Sequence, residues 1–427
     1  MKRNVELNSL GPVASENSEG TNGSNLGKVR INEGDACTLM YNHRLDRNRV
    51  DVVDLDPYGT AAPFIDAAVQ CIKDEGQIYH YIVYTVSNNP ILGLFALLSP
   101  SRACVYCLTI LRSFSNYGGV PVKAEYCHEA ALRLVLHSVS SAASRYGRYI
   151  EPLLSLSIDF YVRLFIRIHT SPIQVKRAIT KTSNYYVCTG CQAFHEQPLG
   201  RIIERKSEAS GNVNELFRTQ AGPLVSEKCP ECESTLHVAG PMWSGDIHDT
   251  GFVSKVLEHV EANQTRYGTV TRMRGMLTVA KEVLIYGELH TPFYFTPTRV
   301  ANHFHCQTPS LDDVASALLH AGHRISRSHA CPGSLKTTAT RQDIHDVFRC
   351  FVKTHPINEN NVSENSPAKR LLAKEPRSEA NFKHHPDSVT SSSGVKIVRY
   401  PETPSNWGPG TRATGGKNKR KREEKTE

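Results

Sequence analysis

Three common features are missing from this sequence, and each absence removes a class of protein. No Gly-x-Gly-x-x-Gly loop stands at a strand-to-helix junction, so the usual glycine cradle for a dinucleotide or phosphate is not there. The N-terminus, MKRNVELNSL, has no apolar stretch of the kind a secretory signal needs. Nowhere do the roughly 20 consecutive apolar residues of a membrane span run together. Residues 77 to 101 carry no Asp, Glu, Lys or Arg, but Ser87, Asn88, Asn89 and Pro90 interrupt them, and a buried strand followed by a core helix is the better reading. Cysteine, at 12 in 427 residues, is too dilute for a disulfide scaffold. That implies a reducing compartment, where close Cys pairs are metal ligands or inert core thiols.

What is present is ordinary globular material. The hydrophobic fraction of 39% and charged fraction of 22% exclude a wholly disordered or collagen-like chain, and 427 residues suit two or three domains. Fifty Lys and Arg against 42 Asp and Glu leave a net charge of +8, which favours polyanionic partners mildly. KRNVELN reads as the end of a helix, followed by a polar loop and a strand-like VRI. Val50 through Leu55 reads as a buried parallel-type strand ending at Asp56, and 61–72 as a helix with Pro63 in its first turn. A second helix starts near Ala124, with Leu132, Val135, Leu136 and Val139 on one face. Residues 160–169 alternate as a strand, and the order of elements predicts a mostly parallel α/β sheet. From Ser183 paired cysteines and polar loops mark a second domain. Beyond Pro356 the polar composition predicts disorder, ending in a basic run from Lys417 to Arg422 that reads as a nuclear localisation patch or a polyanion arm.

The sharpest local signal is Asp54-Leu55-Asp56-Pro57-Tyr58-Gly59 at the C-terminal end of a strand, where open α/β sheets place their ligand crevice. The Asp56 carboxylate and Pro57 carbonyl offer two acceptors beside the flat ring of Tyr58. That pair could hold the N–H groups of an exocyclic amine and aim its lone pair at an electrophilic methyl. The competing reading is a turn with Pro second, in which Asp56 only caps the next helix. Gly34-Asp35-Ala36 is open in the same way: the carboxylate can accept from an adenine amine or a ribose hydroxyl, or bond its own backbone.

Cys188-Thr-Gly-Cys191 and Cys229-Pro-Glu-Cys232 form two C-x-x-C knuckles, the donor set of a structural Cys₄ zinc site. The long insert between them is expected to be absorbed by a solvent loop at 204–212. Cys104-Val-Tyr-Cys107 has no partner knuckle and reads as buried inert thiols. Arg266, Tyr267, Arg272, Arg274 and Lys281, and again Arg324, Arg327, Lys336 and Arg341, have the spacing of a nucleic-acid surface or of a solvated helix face.

Three blocks in order, VDVVDLDPYGTAAPFIDAAV, YGGVPVKAEYCHEAALRLVL, and CTGC…CPEC followed by HVAGPMWSGDIHD, resemble the tRNA (guanine-26 N2)-dimethyltransferase family over most of residues 1–355. The resemblance implies an α/β fold: an incomplete class I (Rossmann-like) S-adenosyl-L-methionine (AdoMet)-dependent methyltransferase domain at 1–180, an α+β C-terminal zinc-containing tRNA-binding domain at 181–356, and a disordered tail at 357–427. It implies two successive methyl transfers to the N2 of one tRNA guanosine; no membrane partner is expected, and the basic C-terminal run points to nuclear, secondarily cytoplasmic, residence. Asp56 and Pro57 become the amine acceptors, Tyr58 the base-packing ring, Asp35 and Ala36 cofactor contacts, and Cys188, Cys191, Cys229 and Cys232 the ligands of Zn2+. The family's glycine-bearing cofactor loop is expected upstream of KRNVELN, which would leave this chain N-terminally incomplete, and residues 77–116 depart from the family pattern. The rival expectations are a catalytically defective zinc-containing tRNA/RNA-binding protein and an amino-methyltransferase acting on DNA.

Overall fold

The computed structural model describes residues 2–11, 28–57, 59–74, 81–86, 110–158, 161–206, 213–267, 270–285, 291–358, 360, 362–389, 392 and 394–395. Helix α1 (Lys2–Leu7) and α2 (Ala36–Asn42) precede strand β1 (Val52–Leu55), α3 (Ile65–Cys71) and β2 (Tyr81–Val86). Then come α4 (Ile110–Tyr117), the long α5 (Cys127–Ser144), β3 (Arg148–Ile158) and β4 (Tyr161–Thr170). These four strands form one sheet in the order β1-β2-β4-β3. Only β1 and β2 are parallel; β4 runs antiparallel to both of its neighbours, so the expected mostly parallel sheet is corrected to a mixed one. The reason lies at residues 159–160: β3 and β4 are joined by so short a connection that they can only pair as a hairpin.

One face of this sheet carries the main core. Alternate residues Val162, Leu164, Ile166 and Ile168 of β4 meet Leu132, Val135, Leu136 and Val139 of α5 and Ala67, Ala68 and Val69 of α3, all buried. The 3.6-residue period read on α5 is the face that does this. Val52 is 49% exposed, because β1 has a single strand neighbour among the described residues; the strand expected to be fully buried is a half-buried edge. The VRI at 29–31 is not a strand; Val29 instead donates its N–H to the Leu10 carbonyl.

After α6 (Pro172–Arg177) the chain builds an antiparallel sheet, β6-β5-β9, from β5 (Thr182–Cys188), β6 (Phe194–Pro198) and β9 (Leu236–Trp243). Between β6 and β9 lies the hairpin β7 (Gly200–Lys206) and β8 (Val213–Thr219). The insert between the knuckles is therefore mostly paired strand, and 207–212 lies outside the described residues. Helices α7 (Thr250–Ala262) and α8 (Val270–Ile285) cover the other face of the first sheet through Val253, Val260, Met276 and Leu277 against Leu154 and Leu156. The chain continues with α9 (Pro297–Phe304), α10 (Leu311–His320), β10 (Ile325–Ser326), β11 (Lys336–Thr337), α11 (Arg341–Thr354) and α12 (Pro367–Leu372). These last helices share a core with the four knuckle cysteines.

Two sequence expectations change here. Disorder from 357 does not extend to 362–389: Leu371 of α12 is buried in the core of α9 and α11, and Ser366 caps the helix. A polar segment with two well-placed leucines and many cation–carboxylate partners can dock without showing apolar periodicity. Lys336 and Arg341 are not surface residues, at 3% and 9% exposed. Residues 75–80 and 87–109, with Cys104 and Cys107, and the basic run 417–422 lie outside the described residues. No helix among the described residues is long and apolar enough to cross a membrane.

Candidate functional site

At the C-terminal end of β1 the period-2 alternation sets Val52, Asp54 and Asp56 on the open face and Val53 and Leu55 toward the core. Asp54 receives Arg163 from β4 at 3.2 Å, which pins the strand end across the sheet. Asp56 is exposed and holds no hydrogen bond among the described residues. It does not cap the following helix: the 3₁₀ turn Ala62–Phe64 starts from Ala61 without a side-chain cap, and the Ala62 N–H goes to the Thr60 hydroxyl. That hydroxyl also meets the buried Tyr117 hydroxyl at 2.9 Å. Gly59 at φ +111° lets the chain reverse after Asp56-Pro57, a conformation any side chain would resist. Tyr58 lies outside the described residues.

Asp35 caps α2, accepting the Thr38 N–H at 2.6 Å, and that backbone hydrogen bond lowers its carboxyl pKa. The Cys37 thiol donates to the Pro63 carbonyl in the loop that leaves Asp56, so α2 is tied to that loop. Tyr41 and Tyr146 both donate to the Asp66 carboxylate, the first holding α2 on α3 and the second tying the turn after α5 to the same point. Asp35 and Ala36 are both exposed at the start of α2. The carboxylate, braced from behind by Thr38, can accept from a hydroxyl or amine, so these residues fit one end of a nucleoside cofactor.

The two knuckles close on each other. The Sγ atoms of Cys188, Cys191, Cys229 and Cys232 lie within 4.8 Å of one another, all buried, with 3.3 Å between Cys188 and Cys232 and 3.7 Å between Cys191 and Cys229. Four sulfurs about 2.3 Å from a tetrahedral zinc would stand roughly 3.8 Å apart. The knuckles repeat each other: Cys188 N–H bonds to the Ala193 carbonyl and Cys229 N–H to the Ser234 carbonyl, while Gln192 and Glu233 both take left-handed φ, at +56° and +57°. The N–H groups of Gly190 and Cys191 point at the Cys188 sulfur, at 3.3 and 3.4 Å. A Cβ on Gly190 would stand 2.5 Å from the Ser234 hydroxyl and 3.1 Å from the Cys232 sulfur, so only glycine fits. Hydrogen bonds from Cys191 and Cys229 pull the Cys188 thiol down to about 7. A soft, closed sulfur cage of this kind fits a structural zinc ion.

Sequence reasoning missed Glu231, although it sits inside the C-P-E-C knuckle. It is buried and accepts from His345 at 3.0 Å and Arg349 at 2.8 Å on α11. Burial raises its pKa, but those two partners reverse the effect and hold it at about 2. Arg370 of α12 donates to the Cys232 carbonyl at 3.3 Å and Lys374 to the Pro230 carbonyl, so the segment assigned to the tail braces the knuckle.

A buried polar hub joins the first sheet to the C-terminal half. Ser155 N–H donates to His248 Nδ1 at 3.3 Å and Ser157 N–H to His329 Nε2 at 3.1 Å, so both rings must be neutral at those atoms. His128 meets the Ser157 hydroxyl, while Glu129, Arg133 and Lys336 complete the surroundings. Burial pushes both histidines down, His329 to about 4. The unfolded chain binds protons near pH 6.5 and the folded one does not. Stability is thus fully present above about pH 6.5 and falls as pH drops toward 4, by on the order of 3 kcal/mol for His329 alone. Melting measured from pH 8 to 5 should show this slope, and His329→Gln should flatten it; a slope unchanged in that variant contradicts the role given to His329.

The fold resembles the complex structure of Trm1 from Pyrococcus horikoshii with S-adenosyl-L-methionine, at TM-score 0.57 and 20% identity, over 81% of this chain and 78% of that one. That defines a mixed α/β protein with a methyltransferase fold. The family model TRM, N2,N2-dimethylguanosine tRNA methyltransferase, matches residues 1–349, and the chain belongs to that family. The tRNA (guanine(26)-N(2))-dimethyltransferase of Mus musculus is 39% identical over 97% of this chain, and the Caenorhabditis elegans protein of the same description 33% over 92%. A Saccharomyces cerevisiae relative, 36% identical over 96% of this chain and 69% of its own length, is described as mitochondrial. The chain spans 57% of the length of the mouse relative and 71% of the nematode one.

Proposed function

We propose that this chain carries the target-amine and metal-bearing parts of an AdoMet-dependent tRNA guanine-N2 methyltransferase of the class I type. The observation that carries this reading is Asp56, exposed at the carboxyl end of the parallel β1–β2 pair and capping no helix. Two acceptors, its carboxylate and the Pro57 carbonyl, would take the N–H groups of a guanine N2 amine, and Tyr58 would pack on the base. Held so, the amine keeps its lone pair directed away from the acceptors, and positioning lowers the barrier without a covalent enzyme intermediate. Asp35 and Ala36 would hold the nucleoside end of AdoMet, whose sulfonium supplies an activated methyl group. The four cysteines would hold zinc as a structural ion, remote from the chemistry. Residues 1–180 would form the catalytic part, and the region from 181, extended to 389 by the docked tail, the tRNA-binding part. Nuclear residence would rest on the basic run.

The test is methyl incorporation into tRNA lacking the modification, for the wild type and for Asp56→Ala. Transfer is expected to fall by roughly 10²- to 10³-fold with unchanged melting, because Asp56 supports nothing structural. Asp56→Ala at the wild-type rate overturns the assignment. Calorimetric silence toward AdoMet with retained tRNA would favour the RNA-binding adaptor instead, and methylation of DNA with tRNA ignored would favour the third reading.

A further inference from the structure

Away from the end of β1, a cleft of about 500 Å³ lies beside the C-P-E-C knuckle, walled by Phe194, Phe293 and Phe295 and edged by Arg341, Thr291 and His195. The Arg341 side chain is buried, its guanidinium 5.3 Å from the Phe194 ring centroid, 5.6 Å from Phe295 and 5.9 Å from Tyr126. Among the described residues it has no ion pair and no hydrogen bond. Glu125, an acid whose charge it senses, uses its Oε2 on the N–H and hydroxyl of Thr296, at 3.0 and 2.8 Å. A permanently charged fork of five donors therefore stands in an aromatic recess without an acceptor.

One further polar atom of a residue on the same cleft, Thr291 Oγ1, is buried and has no hydrogen-bond partner among the described residues. Phe293 is held at φ +69°, a region a bulky residue leaves unless it is constrained, and its N–H is fastened to Glu129 at 2.9 Å. Backbone strain of this kind collects at ligand clamps. The recess exceeds what a lone phosphate fills and falls in the size range of small-molecule sites. Flat rings beside an unpaired guanidinium suit one chemistry: a planar base to stack and an anionic phosphate to accept.

We infer that this cleft is a second nucleotide site, in which Arg341 and the Thr291 hydroxyl take a phosphate while the base packs against the partly exposed Phe194, Phe293 being already stacked on Tyr126 behind it. The inference goes beyond the proposed methyl transfer and does not depend on it. The nucleotide could come free or as an unpaired residue of RNA.

Calorimetric titration of the full chain with cytidine 5′-monophosphate, cytidine and 5′-phosphorylated tricytidylate tests it; a pyrimidine avoids confusion with a guanine target at Asp56. The monophosphate should bind at least about tenfold more tightly than cytidine. Arg341→Lys should weaken it about tenfold by removing the fork, and Thr291→Val about fivefold, while Asp56→Ala leaves it unchanged. Should Arg341→Lys lower the melting temperature, Thr291→Val carries the test. A trinucleotide bound about tenfold more tightly than the mononucleotide identifies RNA as the source, and equal binding a free nucleotide. No heat with either phosphorylated probe, unchanged affinity in both cleft variants, or loss of binding in Asp56→Ala overturns the site. Failure of methyl transfer, by contrast, would leave these titrations as they are.

Discussion

Cys229→Ser is expected to release one zinc ion per chain and to lower the melting midpoint by more than about 10 °C, because a structural zinc contributes on the order of 10 kcal/mol to the fold that holds it. The four sulfurs are buried inside the core of α9 to α11, not on its surface. Without a cation, at most one or two of them can ionise, and the cage becomes a cluster of mutually opposed groups; the hydrogen bonds that ease Cys188 push Cys191 up. The damage should spread along named contacts. Glu231 sits between two ligands and anchors His345 and Arg349, and Arg370 reaches the Cys232 carbonyl, so α11 and α12 lose their seat together. Elemental analysis and thermal melting of the wild type, Cys229→Ser and a chelated sample decide the matter. A zinc-free protein with the wild-type midpoint would refute the ion's role.

Much of this architecture was legible in the sequence wherever one face of an element is buried against one neighbour. The period on α5 and the alternation on β4 each name the residues that meet in the core. Strand direction was not legible, since the β4 alternation is the same whether its neighbour runs parallel or antiparallel; only the short connection at 159–160 decides it. The docking of 362–389 was hidden for a different reason. Its contacts are cation to carboxylate, Arg377 to Asp343 and Asp346 and Lys353 to Glu375, which read as a solvated tail when the partners are unknown.

The candidate site divides in the same way. C-x-x-C spacing is local chemistry, so the cage could be named from its letters, and the D-P-Y-G turn could be placed at a strand end. Whether Asp56 capped a helix could not be settled until the Ala62 N–H was seen to use Thr60. Lys336 and Arg341 stood in what looked like a basic surface stripe, but both turn inward, because the Glu129 carboxylate that Lys336 reaches and the Tyr126 and Phe194 rings around Arg341 come from parts of the chain about 150 to 200 residues away.

Glu129→Ala should be the most damaging single carboxylate substitution in the first 180 residues. Its Oε1 accepts from Arg133 Nε and Nη2 at 3.0 and 2.8 Å, from Lys336 Nζ at 2.9 Å and from the Phe293 N–H at 2.9 Å. Burial raises its carboxyl pKa, but the charges of Lys336 and Arg133 outweigh that and hold it at about 2, so it stays ionised throughout the range in which the histidines titrate. Alanine would leave two buried cations uncompensated and free the Phe293 turn, a loss of about 3–5 kcal/mol, read as an early melting transition. Much of that figure is the cost of stranded charge, which a second variant exposes: Glu129→Met combined with Lys336→Met removes the Glu129–Lys336 pair at similar volume and should recover more than half of the loss, Arg133 still being served by the Trp243 and Gly245 carbonyls. If the double variant melts no later than Glu129→Ala, the hub acts through its geometry and not through charge balance.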